Sequence, residues 1–292
     1  MSVQTAEKRV APSVPWSQRL KSVRLYAGVA IVLVWGLGPF YWMAVTAFRD
    51  PDYTFDNTPW PTHLTLENFR NAFDTSRGNN FGRALVNSVI IGSVTTVVAL
   101  LIGVLAAYAL ARLTFRAKYL VSGLILSASM FPVVVLVTPL FQLFTNIGWI
   151  GHYQAMIIPN ISFVLPMTVY ILASFFTELP WELEEAARID GATKLQAFRL
   201  VMLPLAAPAV FTTAILAFIA AVNEYLLARL LSADKTEPVT VAVARFSGND
   251  PLVEPYAAIM AAGTMVSIPL VIMVLLFQRR IISGLTAGGV KS

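Results

Sequence analysis

The chain has 292 residues, 57% of them hydrophobic and 13% charged, at a mean hydropathy of +0.69; lipid is therefore the expected main solvent. It has no cysteine, which excludes disulfides, iron–sulfur clusters and thiol catalysis, and its two histidines, His63 and His152, fall in separate predicted loops, which disfavours a histidine metal site. A net charge of +5 would suit nucleic acid, but Lys and Arg gather beside the apolar stretches, as membrane topology requires, so no nucleic-acid partner is expected.

About 20 apolar residues carry a helix across the hydrocarbon core. Six stretches reach that length: 25–48, 84–111, 119–144, 153–177, 205–231 and 256–277. They run continuously, unlike the alternating segments of a membrane barrel. The expected fold is an all-α membrane protein with six transmembrane helices, preceded by a tail over 1–24 and followed by a tail over 282–292. Residues Trp16–Arg24 read either as a helix on the membrane surface or as a disordered tail. The first span is long and carries only a weak Ala44/Ala47 cleavage signal, so it reads as retained. The loop 49–83 holds Pro51, Pro59, Pro61 and a helix-like run from Thr65 to Phe73. The third span contains Pro132 and Pro139, the fourth Pro159 and Pro166, the fifth Pro208 and the sixth Pro269. Each proline removes a backbone hydrogen bond and kinks its helix, which lipid tolerates where neighbours or a water-lined cavity satisfy the freed carbonyls. Glu224 and Arg229, in the second half of the fifth stretch, are the only charges inside any span. Counting Lys and Arg alone places fourteen on the face holding both termini and seven on the other, so both termini are expected to be cytoplasmic.

Residues 179–204 form a charged island between the fourth and fifth spans. Pro180 suits the first turn of a helix, and Glu182, Glu184 and Glu185 sit where the helix dipole favours negative charge. Gly191 ends or sharply bends that helix. Thr193 and Gln196 have the spacing of a capping box that starts a second one. The result is a compact knob with small side chains at Ala186 and Ala187, built to dock a partner. The chain has no Gly-x-x-x-x-Gly-Lys phosphate cradle, no Gly-x-Ser-x-Gly elbow and no His-Glu-x-x-His pair, so neither a catalytic nor a metal site is expected. If the chain moves a solute uphill, the energy arrives from a partner or from an ion gradient.

The island resembles the EAA loop of binding-protein-dependent ABC importer permeases. Glu185-Ala186-Ala187 is followed after three residues by Gly191, then by Val201 and Leu203-Pro204 at the family spacing. The tail from Gly284 to Ser292 resembles the C-terminus of the MalG-type permeases of the carbohydrate branch, and Asn87-Ser88, Ala107-Tyr108-Ala109 with Arg112, and Asn223-Glu224 are similar pieces. The resemblance implies the type I ABC importer permease fold in a bacterial or archaeal cytoplasmic membrane. It implies as partners a second homologous permease, two ATPase subunits carrying ATP and Mg, membrane lipid, and an extracytoplasmic sugar-binding protein delivering a carbohydrate; no cofactor belongs to this chain. Glu185, Ala186, Ala187, Asp190, Gly191, Leu203 and Pro204 would then couple to the ATPase. Gly284, Leu285, Thr286, Gly288 and Gly289 would reach between the ATPases, and Arg245, Phe246, Ser247, Gly248 and Asn249 would meet the binding protein.

Asn160 and Ser162 in the fourth span, with Asn223 and Glu224 in the fifth, are the candidate substrate-pathway residues; hydrogen bonding between helices would use them equally well. For Glu224, a cavity or gate role and an interfacial anchor both stand, because it lies about twenty residues into its stretch, near the outer interface. A stand-alone ion-coupled carrier and an importer permease for a non-sugar solute remain as alternative functions.

Overall fold

The structure is a computed structural model that describes residues 16–76, 80–246 and 255–287. Its architecture is helical, and the described residues include one isolated antiparallel bridge, between Arg49 and Leu64. Among the described residues, five helices are long and apolar enough to cross a membrane, and a bent pair makes a sixth span if counted as one.

The first helix, α1 (Trp16–Ala47), is unbroken. Neither Gly nor Pro separates Trp16–Arg24 from the apolar run, so the 24/25 boundary expected from sequence falls inside a helix. Most of α1 is exposed on all sides, Trp35 at 84%, as befits a helix whose surroundings are lipid or another subunit. The following loop is pinned by Arg49, which is fully buried. Its guanidinium donates to the carbonyls of Asp56 and Thr58 and lies 5.0 Å from the Trp42 ring. Asn68, on the short helix α2 (Glu67–Ala72), donates back to Ala47 O at 3.0 Å.

Three long helices make the centre: α3 (Phe81–Arg112), then α6 (Tyr153–Glu178) and α9 (Leu203–Val222). The most extensive pairing is α3 against α6. Gly103 permits it, because a Cβ there would stand 2.6 Å from Thr168 Cγ2. Between α3 and α6 run α4 (Lys118–Ser129) and α5 (Val133–Asn146), bent by 85° at their junction. The third span, expected as one kinked helix, is thus two helices. Pro132 lacks the donor that would continue α4, and it pushes Phe131 out of helical geometry.

Past α6 the chain forms α7 (Trp181–Ile189) and α8 (Lys194–Ala197), then a π-helical segment, Phe198–Met202, that leads into α9. Beyond Val222 come α10 (Leu226–Leu231) and α11 (Val239–Ala244). The fifth stretch, expected to run to 231, therefore stops at Val222 and restarts as α10. The last helix, α12 (Tyr256–Ala287), packs along α1 and α9 and also meets α2. It absorbs the expected boundary at 281/282, so Gly284, Leu285 and Thr286 lie on a helix, while Gly288 and Gly289 fall outside the described residues.

The core is split between the two ends of the bundle. One cluster, with Leu172, Phe176, Phe198 and Met202, lies next to α7 and α8. Another, with Phe144, Met156, Leu227 and Leu231, lies at the α10 end.

A candidate docking knob and a cavity in the helix bundle

The knob is assembled by local rules. α7 ends in a Schellman arrangement: Gly191 N–H donates to Arg188 O at 3.1 Å and Ala192 N–H to Ala187 O at 3.0 Å. Gly191 takes φ +92°, a backbone region that side chains disfavour, and a Cβ there would meet nothing within 4 Å. The expected capping box is present. Gln196 N–H donates to Thr193 Oγ1 at 3.3 Å, and Thr193 N–H donates to Gln196 Oε1 at 2.8 Å.

The knob presents Glu185, Ala186, Asp190 and Gly191 as exposed positions, with Ala187 half-buried. Ile189 and Leu195 stand out beside them at 85% and 71% exposure. One Glu185 oxygen accepts from Trp181 Nε1 at 2.8 Å, which steadies the carboxylate on the outer face. Leu203 is half-buried and Pro204 exposed where α9 begins, so they shape the exit from the knob rather than its outer face.

Glu184, expected only as one of three acidic residues suiting the helix N-terminus, faces the other way. It is buried, accepts from Tyr108 Oη at 2.7 Å and stands 3.8 Å from Arg112 Nε. Arg112 Nη2 donates to Leu179 O at 2.8 Å, and its guanidinium lies 5.1 Å from the Trp181 ring centroid. The available signal was helical spacing. Tyr108 and Arg112 are i, i+4 on α3, and Trp181 and Glu184 are i, i+3 on α7, so each pair shares a face. Nothing in the sequence joins the two pairs.

A cavity of about 280 Å³ opens between the middle of α6 and the second half of α9, lined mainly by apolar side chains such as Phe163, Met167 and Leu216. Asn160, Asn223 and Glu224 line it too. Thr168 and Thr213 also line it, but their hydroxyls donate to carbonyls of their own helices, Val164 O and Ala209 O. Ser162 is not part of this wall: it is exposed, and its hydroxyl donates to Ile158 O at 3.2 Å. The candidate pathway set thus comes together as three residues of the four.

Glu224 lies past the end of α9, and its carboxylate caps α10, accepting from Leu227 N–H at 2.8 Å and Ala228 N–H at 2.9 Å. Its own carbonyl accepts from Thr240 Oγ1 at 3.2 Å, so one residue joins α9, α10 and α11. Nearby, Asn87 Nδ2 donates to Glu237 O at 2.8 Å and Tyr153 Oη to Asn87 Oδ1 at 2.7 Å. Ser88 Oγ accepts from Val239 N–H at 2.8 Å. Asn87 and Ser88 therefore strap the segment after α10 to the central helices. Arg245 pairs with Glu237, and Phe246 packs edge-on against Phe81. Burial pushes the Glu237 carboxyl up, and the Arg245 charge acts against that. Ser247, Gly248 and Asn249 lie outside the described residues. No group of three or more His, Cys, Asp or Glu able to hold a metal occurs among the described residues.

Comparison with known proteins places this architecture. Residues 99–286 match the family model described as binding-protein-dependent transport system inner membrane component. The trehalose transport system permease protein SugB of Mycobacterium tuberculosis is 44% identical over 262 residues, covering 89% of this chain and 94% of that one. The trehalose/maltose transport system permease protein MalG of Thermococcus litoralis is 41% identical over 274 residues, covering 93% and 98%. Among solved structures, a chain of a bacterial ABC transporter involved in import of the acidic polysaccharide alginate superposes with a TM-score of 0.74 at 20% identity, covering 92% of this chain and 99% of that one. The fold is that of an ABC importer permease, and the chain belongs to the family of binding-protein-dependent transport system inner membrane components.

Proposed function

We propose that this chain is one of two transmembrane permease subunits of an ATP-driven importer that moves a sugar, a di- or oligosaccharide, from an extracytoplasmic binding protein into the cytoplasm by alternating access. The observation that carries the reading is the knob: an exposed Glu185-Ala186-Ala187 face closed by the positive-φ turn at Gly191. An exposed carboxylate beside small residues suits a helix seated in a cleft lined by a basic side chain. The names of the relatives, given to trehalose and to trehalose/maltose transport, support a sugar as cargo.

In this reading the knob and both termini face the cytosol. Two ATPase subunits, which hold ATP and Mg, close on this knob and on that of a homologous permease and drive the spans between inward- and outward-open states. Asn160, Asn223 and Glu224 line part of the route. Residues 245–249 meet the binding protein, and residues 284–289 reach the ATPases.

The test is uptake of radiolabelled trehalose and maltose into vesicles containing the co-expressed permeases, ATPase and binding protein, with Glu185→Arg as the altered chain. Reversal of that charge should abolish both uptake and binding-protein-stimulated ATP hydrolysis. A chain that purifies alone, still transports and ignores nucleotide would sink the proposal.

A further inference from the structure

Glu184, next to the docking face but turned away from it, is a buried charge that the docking role leaves without a task. It is 8% exposed, and Arg112 is 7% exposed. A buried ion pair contributes little net stability, because desolvation offsets the attraction, but removing one partner leaves an unpaired buried charge and is costly. Such a pair is therefore better suited to holding two elements in one relative orientation than to strengthening the fold.

The geometry points to Glu184, Tyr108 and Arg112 as a clasp that makes the knob and the end of α3 one rigid body, so that displacement of the knob enters the membrane through α3. The inference rests on the reading that the knob docks an ATPase. Tyr108 Oη donates to Glu184, and the Arg112 guanidinium stands 3.8 Å from Glu184, an ion pair without a hydrogen bond, and over the Trp181 ring, which holds α7 against α3; Arg112 also donates to Leu179 O where α6 ends. Tyr108 also packs against Phe176 of α6 at 5.8 Å and against Phe198 of the π segment at 4.6 Å, which seats the clasp between the end of α6 and the start of the knob's exit. From there the motion reaches α6 itself, because α3 and α6 form the most extensive helix pair and approach closely at Gly103.

The route from the knob into α9 is built differently. It passes through the π segment, where Leu203 N–H reaches back five residues to Phe198 O. Pro204 then lacks an N–H, and its ring crowds the carbonyl one turn back, which the wider turn relieves. The entry to the knob is therefore braced by buried polar contacts, while the exit is a widened turn that can absorb displacement. Glu184 is a positioning residue acting through α3, distinct from Glu185 on the outer face.

The test uses the whole complex, with both permeases, the ATPases and the binding protein. The chain has no cysteine, so spin labels placed at Glu182 on α7, outside the coupling residues, and Leu105 on α3 are its only labelled sites. In the parent chain the label-to-label distance should stay narrow and unchanged when ATP is added. In Glu184→Gln it should broaden and shift with ATP, while binding-protein-stimulated ATP hydrolysis falls about tenfold and the ATPase subunits stay bound. Tyr108→Phe, which keeps the ring and the charge pair, guards against a folding defect and should lose about threefold.

A parent distance that already changes with ATP, or a Glu184→Gln complex indistinguishable from the parent, overturns the clasp. Loss of the ATPase subunits from Glu184→Gln also overturns it, by making Glu184 a docking residue. A parent preparation from which ATPase subunits are absent refutes instead the function on which the clasp rests.

Discussion

Gly191 offers the sharpest separation of backbone geometry from side-chain chemistry. Its φ of +92° closes the turn between α7 and α8, and a Cβ added there would meet nothing within 4 Å. Replacement therefore carries no steric clash with neighbours, and the cost is that of the backbone region itself. For a β-branched residue that cost is about 1–2 kcal/mol, while Asn, whose short polar side chain tolerates the left-handed region, costs less. If the knob must hold this turn to dock, Gly191→Val lowers the population of the docking shape about 5–30-fold. The assay is titration of the purified permease pair with its ATPase, followed by stimulated ATP hydrolysis in vesicles. Gly191→Val should weaken ATPase binding within that range, and Gly191→Asn by no more than about threefold. Equal binding by the two variants would refute the argument, because it would mean that the positive-φ turn is not what docking requires.

Glu224→Ala should free the amides of Leu227 and Ala228, which its carboxylate now caps, at a cost of about 1–2 kcal/mol, and hydrogen exchange at those two amides should accelerate with α9 unaffected. Unchanged protection there would assign Glu224 to the cavity alone. Asp56 gives a pH dependence in the loop after α1. The Thr58 hydroxyl, followed by the Thr58 backbone N–H, Thr62 and the Arg49 charge, holds its carboxyl below the ordinary 3.8, so it favours the folded loop above that value and the contribution is lost as pH falls through the lower folded pKa. Tryptophan fluorescence of the loop, which includes Trp60, should change below pH 3.8 in the parent and much less in Asp56→Asn.

Local features of this chain were legible in the sequence because they depend on neighbours along it. The spans followed from apolar length, the knob from Pro180, Gly191 and the Thr193/Gln196 box, and the family from the EAA spacing. The break at Pro132 was visible as a proline, but its 85° angle was not, because a missing donor marks where a helix yields and not how far it turns. Glu224 was legible as an unusual charge near a span end; that its carboxylate caps a separate helix depended on α9 stopping at Val222.

What the amino-acid order determined was therefore the apolar spans, the Gly191 turn, the Thr193/Gln196 cap and the outward chemistry of the knob, all set by interactions within a few residues. Tertiary structure alone decided which of two adjacent glutamates faces inward. It also decided that Tyr108 and Arg112 meet Glu184 across more than seventy residues of chain, and that Asn160, Asn223 and Glu224 share a cavity while Ser162 does not. Those outcomes depend on how helices approach and rotate against each other, which is settled by close packing at positions such as Gly103 and by the desolvation of buried charge, neither of which is written in local periodicity.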